Sequence, residues 1–277
     1  MRRTLLVCVI LSACAVAPVK LRRIGGGERS RAEVAALCKT IVERNGSPAG
    51  DAALGELVHR WPSDEGRKVS SGGCEVTFAE AAGGIYAVDY FDTLTPASAY
   101  SVTKLPHQRR AGVGVPMLGL RENRHREPIE EHYPPEAITR PVTALARVES
   151  ADGGTPGVRI ELLDSLYAET VVVDGEERPL AADFTIPWVA LLERAGKLSG
   201  SWLASLVDAT PARDAQLYLM EPYDPRKTPL LLVHGFISTP IAGPASRTTS
   251  GEMRRSAVAI RCGTTITRRR RRSCIPP

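Results

Sequence analysis

The chain has 277 residues, 43% of them hydrophobic and 24% charged, which is ordinary for a globular protein and long enough for one large domain or two smaller ones. Its formal charge of +5 is unevenly placed: residues 241–277 hold nine Arg against the single acid Glu252, a local net of +8, so everything before them sums to −3. The positive charge therefore belongs to the tail, and the body is excluded from the class of generally basic, nucleic-acid-coating domains.

Arg2 and Arg3 form a positive n-region, and the apolar stretch from Thr4 to Ala13 is too short to span a bilayer as a helix. Leu11-Ser12-Ala13-Cys14 follows and resembles the bacterial lipobox, in which the Cys is lipidated and becomes the mature N-terminus. That resemblance implies a signal peptide over 1–14, a membrane anchor on Cys14 and a place in the bacterial cell envelope. Ala15 stands where an Asp would retain the protein at the inner membrane, so outer-membrane sorting is expected in a two-membrane bacterium.

Two cysteines remain in the body. Cys38 and Cys74 can pair in an oxidising compartment, although Cys38 among Val34, Ala35, Leu37 and Ile41 also suits a small buried apolar residue. Neither has C-x-x-C spacing, so no metal site is expected, and no cofactor motif is complete.

Apolar spacing predicts a helix from Arg29 to Arg44 capped by Ser30, ended by Asn45-Gly46-Ser47-Pro48, and a second from Asp51 to Arg60. Residues 15–64 are accordingly assigned to a linker with short helices. Ser70-Ser71-Gly72-Gly73 reads as a loop. Strands are expected over Glu75–Glu80, Ile85–Phe91, Val142–Val148, Val158–Leu163 and Thr170–Val173, with a hairpin turn at Asp174-Gly175. Helices are expected over Phe184–Arg194 and Ser201–Val207. The expected fold class is α/β or α+β, with a mixed, mainly β accessory domain over 65–222.

Three small constellations invite functional readings. Arg109 to Pro116 holds Gly112-Val113-Gly114 beside two arginines and could cradle an anion, but no third Gly follows, and a surface loop is the plainer reading. His125, Glu130, Glu131 and His132 match no metal-ligand spacing. Asn45-Gly46-Ser47 is a formal glycosylation triplet, read as chance beside a bacterial lipobox.

The stretch from Tyr223 to Phe236 is the most informative. Leu230 to Val233 is a continuous apolar run, as in a strand covered on both faces of a parallel sheet, and it stops at His234-Gly235. The arrangement of Asp224-Pro225, basic residues, Pro229, four apolar residues and His234-Gly235-Phe236 resembles the start of the α/β-hydrolase domain in bacterial esterase/lipase-like lipoproteins. Arg109–Gly119 and Pro179–Phe184 are similar to the accessory region of that group, so the resemblance spans about Val76 to Pro240. It implies an oxyanion-hole region at His234, Gly235 and Phe236, with the Phe236 N–H turned toward a developing oxyanion, and an ester or lipid substrate for an intact relative.

The 277 residues contain no Gly-x-Ser-x-Gly elbow and no His after His234, so neither the nucleophile nor the base of the usual chain order is present and no catalytic residue is assigned. Residues 223–240 are therefore expected to be only the start of a hydrolase domain in a truncated, inactive form. The tail, 241–277, shows no periodicity and is expected to be disordered. Its Arg268–Arg272 run could bind nucleic acid or anionic lipid, but a nucleic-acid partner clashes with the anchor at Cys14 and is not expected. Shifting the reading frame near Pro240 permits a string with an amphipathic helix and an aromatic-rich strand, so a frameshifted tail is expected. The alternative is a non-enzymatic envelope lipoprotein with a binding or scaffolding role.

Overall fold

A computed structural model describes residues 31–61, 66–102, 107–150, 154–194, 216–219, 228–233 and 255–261. These fall into two compact units, one within Ala17–Ser199 and one within Gly200–Pro277. The signal peptide, Cys14, Ser30, the Ser201–Val207 helix and His234-Gly235-Phe236 lie outside the described residues.

The first unit opens with two helices, α1 (Arg31–Arg44) and α2 (Pro48–His59). The second starts three residues before its expected position. Pro48 does not break it, because proline's missing N–H falls among the unpaired donors of a first turn, and Ser47 caps it by accepting from the Gly50 N–H at 3.2 Å.

A hairpin follows, β1 (Lys68–Ser71) and β2 (Cys74–Phe78), where a loop was expected over Ser70–Gly73. Gly72 and Gly73, both at positive φ, make its turn. The remaining strands of the main sheet are β3 (Thr93–Pro96), β5 (Val115–Arg121), β6 (Ile138–Ser150) and β7 (Pro156–Asp164), and β4 (Arg109–Arg110) pairs elsewhere with β10 (Ala182–Asp183). The six strands run in the order β1-β2-β7-β6-β5-β3, antiparallel except for the parallel pair β2–β7. With three helices among the described residues, this is a mixed, mostly β architecture of the α+β kind.

The surface-loop reading of Arg109 to Pro116 is corrected at both ends, since Arg109–Arg110 form β4 and Val115 and Pro116 begin a central strand. Five of the seven residues of β5 are buried, so the alternation that marks a half-exposed strand is absent. The Ile85–Phe91 strand is also corrected. Only Ile85 bridges, to Ala82 and Leu163, and the segment instead packs Tyr86, Tyr90 and Phe91 together with ring centroids 4.8–4.9 Å apart.

One face of the sheet carries the main core. Val76 and Phe78, Val115 and Met117, Val142 and Ala144, and Val158, Ile160 and Leu162 meet Val34, Cys38, Ile41, Leu54, Leu57 and Val58 of the two helices. The helices thus share the core of the sheet. Cys38 and Cys74 form a disulfide that ties α1 to β2.

On the opposite face Leu145 and Leu163 pack with Leu180. Thr143 fastens the chain there, bonding Ser165 Oγ at 2.7 Å and the Ala181 carbonyl at 2.5 Å. The hairpin β8 (Thr170–Val173) and β9 (Glu176–Pro179) turns at Asp174 and Gly175, with φ of 52° and 80°, as the sequence predicts. The helix expected over Phe184–Arg194 is α3 (Thr185–Arg194), capped by Asp183, whose Oδ1 accepts from the N–H groups of Thr185 and Ile186 at 3.0 Å each.

The second unit has a three-stranded sheet in the order β11 (Gln216–Leu219), β13 (Arg255–Arg261), β12 (Thr228–Val233). β13 corrects the expectation that 241–277 is without regular structure. Its Ala257-Val258-Ala259-Ile260 run has the residue types a strand needs, and the surrounding Arg and Thr obscure it in the sequence.

Candidate functional site

The residues singled out from the sequence divide into those already engaged in the fold and those that follow β12. Arg109 and Arg110 belong to the first group. Arg109 Nε donates to Asp183 Oδ2 at 2.8 Å, and Arg110 donates to the carbonyls of Leu180 at 2.6 Å, Ala168 at 2.7 Å and Ser165 at 3.2 Å. The Arg110 guanidinium is therefore committed to backbone carbonyls, while Arg109, half-exposed, ties β4 to Asp183. Gly112 is required because its backbone lies against the Pro179 carbonyl, leaving no room for a Cβ.

The four-residue cluster at 125–132 is likewise divided. Glu130 is fully buried and pairs with Arg121, also buried, while Glu131 and His132 form an exposed pair at 3.3 Å. Among the described residues no group of three or more His, Cys, Asp and Glu is placed to hold a metal ion.

The Arg121–Glu130 pair anchors a buried polar array that sequence reasoning missed. Its strand positions follow from register. Arg121, Arg140 and Asp164 alternate onto the same face as Met117, Val142 and Leu162, with Gly119 opposite Arg140 and Val142 opposite Asp164. Arg121 donates to Glu130 and to the Tyr90 hydroxyl at 3.1 Å, and its guanidinium lies 4.5 Å from the Tyr90 ring centroid. Arg140 stacks 4.8 Å from the Tyr133 ring, and Tyr86 donates to Asp164 Oδ2 at 2.5 Å.

Burial and hydrogen bonding pull against each other at Glu130 and Arg121 and act together at Tyr86. Burial alone would raise the Glu130 carboxyl, but hydrogen bonds from Arg121 and the Arg126 N–H outweigh it and hold the group below the usual range. Burial likewise works against the Arg121 charge, and the bonds to Glu130 and Tyr90 reverse that effect, so its pKa rises. Burial, then the Asp164 charge, pushes the Tyr86 hydroxyl far above its ordinary range. A phenol so held donates a hydrogen bond and does not act as a base near neutrality. The array fixes two loops to the sheet, 81–92 through its tyrosines and 122–133 through Glu130. Asn123 completes the second by donating to the carbonyls of Glu130, Tyr133 and Pro134.

The second group is the strand end. β12 pairs in parallel with β13, with Leu230 opposite Ala257 and Val233 opposite Ile260, and β11 pairs antiparallel on the other side of β13. Residues 234–254 connect the parallel pair, long enough for the crossover that parallel strands require. β12 thus finds its partner in β13, a strand of the Arg-rich tail, inside its own unit. Val233 is its last residue, and His234-Gly235-Phe236 follow it directly in the chain.

No helix among the described residues is long and apolar enough to cross a membrane. Comparison with protein families, with curated proteins and with solved structures returns no match for this chain.

Proposed function

We propose that this chain is a lipid-anchored bacterial envelope protein of α/β-hydrolase, esterase/lipase-like type whose 277 residues supply no serine nucleophile and turn over no ester. The observation that carries this reading is the apolar strand β12, paired in parallel across a crossover and followed at once by His234-Gly235-Phe236. Export is supported by the Cys38–Cys74 disulfide, since structural disulfides persist mainly in oxidising compartments.

Two measurements test the two halves. Labelled palmitate should enter the full chain in a bacterial host and be lost in C14A; incorporation unaffected by C14A defeats the anchor. Hydrolysis of a chromogenic short-chain ester by the purified chain should equal the buffer rate, and activity abolished by a serine-directed inhibitor defeats the assignment of an inactive chain. The coding DNA decides the frameshift reading of 241–277: a restored frame near Pro240 should run on through a Gly-x-Ser-x-Gly and a later His.

A second reading, a non-enzymatic envelope lipoprotein with a binding or scaffolding role, is favoured by the first unit itself. That unit is a disulfide-stapled sheet whose buried charges are committed to holding loops. Deletion of 216–277 removes the hydrolase-domain start at 223–240, and the second reading expects a scaffolding partner's binding to survive it.

A further inference from the structure

The chain contains two asparagines, and the fold puts them in opposite situations. Asn45 is exposed in the turn between α1 and α2. It is followed by Gly46, at φ +74°, with open space where a Cβ would stand. Among the described residues the Asn45 side chain makes no hydrogen bond. Asn123 is half-buried and held on both sides of its amide: Nδ2 donates to three carbonyls at 2.9–3.3 Å, and Oδ1 accepts from the His125 N–H at 3.2 Å. The residue after it, Arg124, carries a side chain paired with Glu122 and Asp92.

We propose that Asn45-Gly46 is a site of spontaneous modification, at which the Asn45 side chain condenses with the Gly46 backbone. The Gly46 nitrogen attacks Cγ of Asn45. A bond forms between them, the Cγ–Nδ2 bond breaks, and ammonia leaves carrying the proton released by the Gly46 nitrogen. Water then adds to either carbonyl of the resulting five-membered imide and opens it. The products are Asp at position 45, or the isomer whose main chain runs through the former side-chain carboxyl. No enzyme, oxidant or cofactor is consumed. Glycine suits the step because it offers no side chain to crowd the attack and rotates most freely into the reactive conformation. Hydroxide assists by drawing the proton from the nitrogen, so the rate rises with pH.

The position gives the change a structural consequence. The new carboxylate stands just beyond the carbonyl end of α1, where negative charge is disfavoured. The isomer also lengthens the main chain in a turn with little slack. Ser47 donates to the Arg44 carbonyl from its N–H at 3.0 Å and from Oγ at 2.7 Å, and Gly50 lies against that same carbonyl. The modification therefore acts on the geometry of the α1–α2 hairpin and on the cap of α2.

The test is peptide mapping of the purified full chain after incubation, folded, at neutral and mildly alkaline pH, with a urea-unfolded sample alongside. The Asn45 peptide should resolve into Asp and isoaspartyl products with the mass change of NH2 replaced by OH. They should accumulate faster at the higher pH, while Asn123 stays an amide in the folded chain. N45Q should lose both products, and G46A should slow their formation; N45Q suffices if G46A does not fold. An Asn45 that remains an amide in the folded chain, whatever the unfolded chain does, overturns the proposal. So does Asn123 converting as fast as Asn45 while folded.

Discussion

Removing the Cys38–Cys74 disulfide should cost the first unit a large share of its stability. The bond closes a loop with a sequence separation of 36 residues, which contains the end of α1, all of α2 and β1. The chain-entropy relation for a loop of that length gives a loss of about 4 kcal/mol in the doubly substituted protein. Cys38 and Cys74 are 0% and 1% exposed, so C38A/C74A also empties a buried site and adds to the loss. Domains of this size are stable by only about 5–15 kcal/mol, so a quarter or more of the total is at stake. The assay is urea unfolding followed by tryptophan fluorescence, which reports on this unit through Trp61, packed 4.8 Å from the Phe78 ring. With a urea slope of about 2 kcal/mol per molar, the midpoint should fall by about 2 M. Reductant should leave the folded protein unchanged, because the sulfurs are out of reach, and should bring the chain-entropy part of the double variant's loss once urea opens the chain. A midpoint within about 0.3 M of the parent, equivalent to about 0.6 kcal/mol, would refute the reasoning and show that packing alone holds α1 on the sheet.

Substituting Arg121 by Met strands a buried Glu130 carboxylate and should destabilise by about 3–5 kcal/mol, whereas R121M/E130L should recover most of that loss; chemical denaturation of the two variants checks it. The Glu130 pKa is depressed in the folded protein, so its contribution is present above the ordinary Glu range and is lost as pH falls through the folded value. Denaturation midpoints across acid pH should accordingly show a steeper loss for the parent than for E130Q. Tyr86→Phe leaves an Asp164 oxygen without its hydroxyl partner and should cost about 1–3 kcal/mol by thermal or urea melt. Gly119→Ala should cost a similar amount, about 1–3 kcal/mol, since the added Cβ falls 2.7 Å from the Phe91 ring.

Parts of this architecture are legible in the sequence for local reasons. The spacing of Val34, Leu37 and Ile41 marks α1, and the Val171–Val173 run before Asp174-Gly175 marks a hairpin because the turn needs positive φ at those two residues. The apolar cores of β6 and β7 are readable too, though both strands extend beyond them at each end. The chemistry of Leu230–Val233 followed by His234-Gly235 is local in the same sense, which is why the functional reading begins there.

Other features exist only through partners distant in the chain. β5 is buried nearly throughout, so no alternation betrays it; β3 and β6 on either side make it a strand. Once that register is set, Arg121 falls on the core face and requires Glu130, which the sequence groups with His125 and His132 as though for a metal. Tyr86 and Tyr90 have the residue types of a strand, yet their rings pack on each other and on Phe91 while Tyr86 donates to Asp164. Cys38 and Cys74 could equally have been separate buried thiols until α1 was laid across β2. Local pattern determines which segments can become helix, turn or strand, because it acts through neighbouring backbone angles and side-chain spacing. Which strand pairs with which, and which buried charge finds its counter-ion, is decided only when contacts across the sheet compete for the same face.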